Sequence, residues 1–199
     1  MKNLTVDRMF AIAKDNNYKV FKEPFELNLW GVRAGDQEVR TFNDQLFIFY
    51  NNGNGNWFTK QFDITTDPSD LYLLKPINPQ GTAIVKSGQY IDLWNFGFHK
   101  GRQDHPALIQ VNPIKVYRDN NLDDKKDFNE SSVEEGLFGI NMHRASQWGI
   151  TKLVGLYGAG CQVHEDCNKY TDVFIPLVKV HVSSVQKLFS YTLITEKML

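Results

Sequence analysis

The chain has 199 residues, 42% of them hydrophobic and 13% aromatic, which is enough to build one domain with a sizeable core. Its 22 basic and 23 acidic residues leave a net charge of -1, so overall charge favours neither nucleic acid nor an anionic membrane as a partner. No apolar run approaches the ~20 residues of a membrane span, and the N-terminus lacks the apolar core of a secretory signal. We therefore predict synthesis in the cytoplasm without a signal peptide, and no nucleic-acid or membrane partner.

The chain combines a helical pattern near its N-terminus with several strand patterns. Apolar residues at helical spacing predict an amphipathic helix over 5–15. Two β-rich runs, 45–50 and 57–66, flank the segment NNGNGN and predict a β-hairpin. Further strand-like runs, separated by Pro, Gly and Asn, are TAIVK, ALIQV, IKVYRD, LFGINMH and the closing FSYTLIT. The expected fold class is mainly β (α+β) with few helices.

A second helix is predicted between about 166 and 182, where Pro176 should kink it or mark its first turn. The polar stretch 118–132 is predicted to be an exposed loop. No repeat or linker divides the chain. We therefore predict an attached helical or extended segment over 1–40, followed by one domain over 41–199.

One of the two cysteines, Cys161, directly follows Gly158, Ala159 and Gly160. Small residues let the backbone turn and let another molecule approach, so this sulfur is expected to be accessible. His143 ends a strand-like run 18 residues earlier. A nearby imidazole can hold a thiol as thiolate or take its proton, and amides of a glycine turn can stabilise an oxyanion. Spacing alone leaves open a catalytic pair or a packed thiol with an unrelated histidine.

The segments GINMHRAS and GAGCQV together resemble the active-site signature of the L,D-transpeptidase family, and they are similar to its phage-encoded branch. Residues 64–90 resemble the family's substrate-side loop, with Ser69 where that loop usually has Gly. Residues 96–121 and the C-terminal FSYTL also match that branch. The resemblance covers roughly 45–195 and implies an L,D-transpeptidase-like β-sandwich or barrel.

The resemblance also implies a set of site residues and an activity. Cys161 would be the nucleophile, His143 the base and Gly160 the turn residue; the residues expected to contact substrate are Arg144, His99, Ala159 and Gln162. The implied protein is a peptidoglycan-directed cysteine peptidase or transpeptidase that needs no cofactor. It would act on stem peptides at the cell wall, after lysis or as a virion component.

The family's Ser/Thr-His before Gly-Cys is replaced here by Gly158 and Ala159, and its Arg after the Cys by Val163. The lost contacts favour hydrolysis over cross-linking. They also keep open an alternative, a non-catalytic wall-binding or virion structural domain that retains the fold.

Two metal sites compete with this interpretation. Zinc would use Cys161, His164, Cys167 and His143; otherwise Cys167 is a buried helix residue and His164 a solvated loop residue. Calcium would use the EF-hand-like positions Asp119, Asn121, Asp123, Asp127 and Glu130, although Asp124 stands where a glycine is expected. An ordinary acidic turn is the simpler interpretation of that loop.

Three more histidines have simpler interpretations. His99 lies either in the substrate groove or at a strand end as an ordinary polar residue. His105 is favoured as such a residue, and His181 as a packing residue on the apolar face of the last helix.

Overall fold

The computed structural model describes residues 4–100 and 104–199. Strands β1 to β11 span, in order, Asn28–Arg33, Asp44–Asn51, Trp57–Thr65, Thr82–Val85, Gly88–His99, His105–Gln110, Ile114–Asp119, Val133–Gly136, Met142–Arg144, Gln162–His164 and Leu188–Thr195. Helices α1 to α4 span Val6–Asp15, Asp70–Leu74, Cys167–Lys169 and Ile175–Ser184. None of the helices in these ranges is long and apolar enough to cross a membrane.

Eight strands close into a barrel in the order β1-β11-β5-β6-β9-β10-β3-β2, and a separate sheet has the order β4-β7-β8. Closure pairs the strand edges that an open sheet would leave free. Two of the barrel pairs are parallel, β1 with β11 and β9 with β10. The prediction of a mainly β chain with few helices is confirmed.

The main apolar core combines barrel strands with the C-terminal helical segment. Trp94 and Tyr191, with ring centroids 4.7 Å apart, are fully buried in it. Tyr170, Phe174 and Val178 join the same core. Each fully buried large apolar side chain contributes about 2 kcal/mol relative to exposure. This packing fixes the helical segment against the barrel.

The predicted helix over 5–15 is confirmed by α1. The Thr5 side chain accepts a hydrogen bond from the Arg8 amide, which caps the helix N-terminus. Met9 and Ile12 pack against Trp30 and Phe49. The predicted boundary at residue 40 falls between β1 and β2, which are hydrogen-bonded neighbours. The N-terminal residues therefore contribute a strand to the barrel.

Strand β1 does not show the alternation by which strands are recognised, because it is buried on both faces. Leu29 belongs to the main core, whereas Trp30 and Val32 belong to the cluster that α1 covers. The predicted hairpin is confirmed by β2 and β3. The run LFGINMH was predicted as one strand, but only its end and the next residue form β9.

The predicted helix over 166–182 is present, with an irregular turn in its middle. Asp166 caps α3, a π-helical turn covers Tyr170–Phe174, and α4 follows with Pro176 in its first turn. Proline cannot donate the regular helical hydrogen bond, and its ring crowds the carbonyl four residues earlier. The wider π turn accommodates this proline without ending the helix.

Two residues of the polar stretch 118–132, Asp119 and Lys126, are buried and not exposed as predicted. The side chain of Lys126 is completely buried, and its Nζ lies 2.7 Å from Oδ2 of Asp67. Nε of Arg33 lies 2.8 Å from the other carboxylate oxygen. Because Asp67 joins β3 to α2, this buried ion pair fastens the acidic loop to the barrel.

Candidate active site

Strands β9 and β10 position the predicted catalytic residues. In this parallel pair Val163 lies beside His143, and Gln162 beside Met142. Side chains alternate between the faces of a sheet, so Cys161 shares the face of Val163, and Asn141 shares that of His143. Cys161 and His143 therefore lie on one face of neighbouring chain segments, offset by two residues.

The turn before Cys161 requires glycine for steric reasons. Gly160 has φ +117°, and an added Cβ would lie 2.5 Å from the carbonyl oxygen of Ala83. At Gly158 an added Cβ would lie 2.5 Å from Val154 Cγ1. The space for a larger side chain at Gly158 is thus occupied. Ser69, with φ −71°, needs no glycine conformation, and its amide donates to the Gly158 carbonyl over 2.8 Å.

The Cys161 thiol is half-buried and is held by two backbone groups. Sγ donates to the carbonyl oxygen of Gly139 and accepts from the amide of Asn141, both at 3.4 Å. Burial raises the pKa of Cys161 to about 11, although the Asn141 amide opposes the shift. The thiol is therefore protonated at neutral pH, which corrects the expectation of a stabilised thiolate.

His143 is buried as a neutral imidazole. Its Nδ1–H donates to the carbonyl oxygen of Arg144 over 2.8 Å, which leaves the lone pair on Nε2. The His143 ring stacks on His99 with centroids 4.0 Å apart. Burial first, and the neighbouring His99 second, lower the pKa of His143 to about 3. Nε2 is thus available as a proton acceptor at neutral pH.

The predicted site residues line two different cavities. Cys161 and Ala159 line a cavity of about 380 Å³, whereas His143, His99 and Arg144 line a cleft of about 710 Å³. One hydrogen bond joins the walls of the two cavities. The hydroxyl of Tyr72, which lines the first cavity, donates to the carbonyl of Leu156, which lines the second, over 3.1 Å. The thiol and the imidazole therefore line different cavities.

Gln162, predicted to contact substrate, instead lies in the barrel interior. Its side chain is completely buried, and its Oε1 accepts a hydrogen bond from the Tyr191 hydroxyl over 2.6 Å. Because Gln162 is one residue after Cys161 in an extended segment, its side chain points to the opposite face. It lines neither cavity, and its role is structural.

His164 is a core residue, which corrects the interpretation as a solvated loop residue. It is 1% exposed and packs against Phe62, Tyr170 and Phe174. Cys167 is buried at the start of α3, with Sγ 3.9 Å from the Thr171 hydroxyl. Strand alternation therefore separates His164 from Cys161, and the proposed zinc set is not assembled.

The proposed calcium ligands are occupied by contacts within the protein. Asn121 donates to Asp123 and Asp127, and the Asp119 carboxylate accepts from the Asp127 amide over 2.9 Å. Glu130 is turned away to Lys86, with which it forms an ion pair. Within the described ranges, no group of three or more His, Cys, Asp or Glu side chains is arranged to hold a metal ion.

The remaining histidines lie apart from Cys161. His181 is buried, accepts from the Leu27 amide at Nδ1, and approaches the Leu188 carbonyl with Nε2, which agrees with a packing role. His105 lines the cleft with its ring 5.9 Å from that of His143. It is therefore part of the cleft, contrary to the favoured interpretation as an ordinary strand-end residue.

Two residues of the site were missed by the sequence analysis. Asn141 binds Cys161 through its backbone and approaches Nδ1 of His99 with its side-chain amide at 3.2 Å. Its position two residues before His143 in an extended run is the signal that could have identified it. Arg118 lines the cavity of Cys161. Nothing local to its strand marks it, because the cavity forms only when two sheets meet.

The buried histidines should make the fold sensitive to acid. Burial lowers the pKa of His164 to about 3, below the ~6.5 of an unfolded chain. Its contribution to stability is therefore complete above about pH 6.5 and is lost as the pH falls toward 3, by up to about 1.4 kcal/mol per pH unit. When the pH is lowered from about 7 to about 4.5, we expect the Tm of the His164→Gln variant to fall by less than the Tm of the unmodified protein.

Calorimetry of both proteins over that pH range measures the effect. Asp44 acts in the opposite direction, because burial and the neighbouring Asp67 raise its pKa to about 6, and its contribution is lost as the pH rises. This contribution is common to both proteins and cancels in the comparison. Equal losses of Tm would show that His164 is not the source of the acid sensitivity.

No family model, no curated protein and no solved structure matches the chain. A functional assignment therefore depends on the residues of this site and on their geometry.

Proposed function

We propose that the protein is a peptidoglycan-directed cysteine acyltransferase of the L,D-transpeptidase type, with Cys161 as nucleophile and His143 as base. The observation that carries the proposal is that His143 lies on β9, while Cys161 lies between a sterically required glycine turn and β10, the parallel partner of β9. The resemblance of GINMHRAS and GAGCQV to the family signature supports the same pair.

In the proposed reaction a neutral thiol and a neutral imidazole act together. The Cys161 S–H turns from the Gly139 carbonyl toward His143, whose Nε2 takes the proton as sulfur forms a bond to the substrate carbonyl carbon. The C–N bond then breaks, and the proton passes from His143 to the leaving amine. Water or a second amine attacks the thioester and regenerates the thiol.

The turn also offers donors for the oxyanion. In the described part of the chain, the amides of Ala159, Gly160 and Cys161 make no hydrogen bond to another protein group. Three successive amides in a turn can bind the negative oxygen of a tetrahedral intermediate. Ala159 and Cys161 line the cavity in which that intermediate would form.

Hydrolysis is the proposed outcome of the second half-reaction. A transpeptidase must hold an acceptor amine and exclude water, which calls for fixed contacts beside the nucleophile. Val163, which stands where the family has an Arg, is completely buried, and Gly158 and Ala159 offer no polar side chain. Peptidoglycan stem peptides should therefore be shortened or uncoupled instead of cross-linked.

The test is mass spectrometry of the protein and of peptidoglycan fragments after incubation together. We expect a Cys161 adduct whose mass is that of the stem peptide minus the leaving amine, together with shortened fragments. New cross-linked dimers would overturn the hydrolytic assignment. Neither adduct nor product, with stem peptides of several chemistries, would overturn the enzymatic one.

The geometry of the thiol favours a second candidate, a non-catalytic wall-binding or virion domain. Cys161 is hydrogen-bonded to backbone groups of Gly139 and Asn141, and its raised pKa keeps it protonated. Alkylation by iodoacetamide distinguishes the candidates. If His143 assists Cys161, His143→Gln should slow alkylation of Cys161 at neutral pH, whereas an unassisted thiol should react equally slowly in both proteins.

A further inference from the structure

Arg118 is the one charged side chain among the described residues that line the cavity of Cys161. The other lining residues are apolar or neutral, so no carboxylate among them opposes an anionic ligand. The side chain of Arg118 is only 8% exposed. The guanidinium is therefore a nearly buried cationic group in the cavity wall, with the Glu134 carboxylate as its partner on the side of Nε.

The sheet pairing places Arg118 close to the turn of the nucleophile. Arg118 lies directly opposite Ala83 in the β4–β7 ladder. The carbonyl of Ala83 in turn faces Gly160, so closely that a Cβ there would lie 2.5 Å away. A single strand, β4, thus separates Arg118 from the turn that presents Cys161.

The guanidinium is held in one orientation by three contacts. Nε lies 2.8 Å from Oε2 of Glu134, Nη1 donates to the carbonyl of Gly81, and the charged carbon lies 4.6 Å from the Phe138 ring centroid. In the described part of the chain Nη2 makes no hydrogen bond. A planar guanidinium fixed on one edge, with donors left over, is suited to binding a carboxylate.

We infer that Arg118 makes this cavity a carboxylate-binding subsite, so that the acyl donor is a peptide with a free carboxylate near the scissile carbonyl. This inference deepens the proposed function by naming the group on the substrate. Arg118 thus offers the cavity of Cys161 a cationic contact that Arg144, the arginine expected from the resemblance to contact substrate, does not. Arg144 lines the other cleft, with His143.

The experiment compares iodoacetate, which carries a carboxylate, with neutral iodoacetamide. Both reagents alkylate the same thiolate, so the ratio of their rates at Cys161 cancels the pKa of the thiol. We expect Arg118→Gln to lower the iodoacetate-to-iodoacetamide ratio roughly tenfold, the size expected for a charge-assisted hydrogen bond. Peptide mass spectrometry assigns each modification to Cys161 or Cys167.

Lys115 provides a control, because it is a cation on the same strand whose side chain is half exposed and is not among the residues that line the cavity of Cys161. Lys115→Gln should leave the ratio unchanged. Arg118→Lys should keep most of the ratio, and Glu134→Gln should raise it by freeing the guanidinium. These two variants test the inference even where Arg118→Gln does not fold.

An unchanged ratio in a folded Arg118→Gln variant, or an equal fall with Lys115→Gln, would overturn the subsite. The rates need no turnover, so this outcome is independent of the outcome for acyl transfer. A lowered ratio without any acyl adduct would support the carboxylate site while removing the proposed enzymatic function. An acyl adduct with an unchanged ratio would support the proposed enzymatic function while removing the carboxylate site.

Discussion

Replacement of Cys161 by serine should abolish the acyl transfer that we propose for this protein, with a loss of roughly a thousandfold or more. A serine hydroxyl is a much poorer nucleophile beside an imidazole that was positioned for a thiol. The fold should be nearly unaffected, because the hydrogen bonds of Sγ to Gly139 and Asn141 are long and an Oγ can also form them. We expect a stability change within about 0.5 kcal/mol, measured by thermal unfolding beside the activity assay.

Cys167→Ser is the matched control. Cys167 is buried among core residues at the start of α3, so a hydroxyl there should lower stability while turnover is retained. The two variants should therefore show opposite patterns. Full turnover by Cys161→Ser would exclude Cys161 as the nucleophile, and a large loss of Tm in that variant would identify it as a structural residue.

Lys126→Met should cause the largest loss of stability among the changes considered, about 3 kcal/mol. Lys126 and Asp67 are both buried, and removing one partner leaves a charge in the interior with less compensation. Arg33 remains paired with Asp67, which places the expected value at the lower end of the range for broken buried pairs. For a chain of this length the Tm should fall by roughly 6 to 12 °C.

Lys125→Met tests whether the effect comes from the buried pair or from the loss of any lysine in this loop. Lys125 is the exposed neighbour of Lys126, so its replacement should change stability by less than about 0.5 kcal/mol. Urea denaturation of both variants gives the two values. Similar losses in both, or none in Lys126→Met, would contradict the role assigned to the buried ion pair.

The sequence by itself determined the elements whose signals are local. The helix over 5–15 follows from apolar residues at helical spacing, a feature that lies within one short segment. The hairpin of β2 and β3 follows from two β-rich runs around an Asn/Gly turn, in which Gly53 and Gly55 adopt positive φ. The mainly β class, the second helix and the glycine turn before Cys161 follow in the same way.

Only the tertiary structure decided which side chains are buried and which share a cavity. From the sequence alone, Lys126 is expected to be a solvated charge in an acidic loop and His164 a solvated loop residue. Both are buried because their partners, such as Asp67 and Phe62, come from distant segments. Barrel closure and the contact of β4 with the cysteine turn likewise placed Arg118 beside Cys161 and left Arg144 in the other cleft. Spacing along the chain carries no information about such long-range contacts, since they depend on strand order and register.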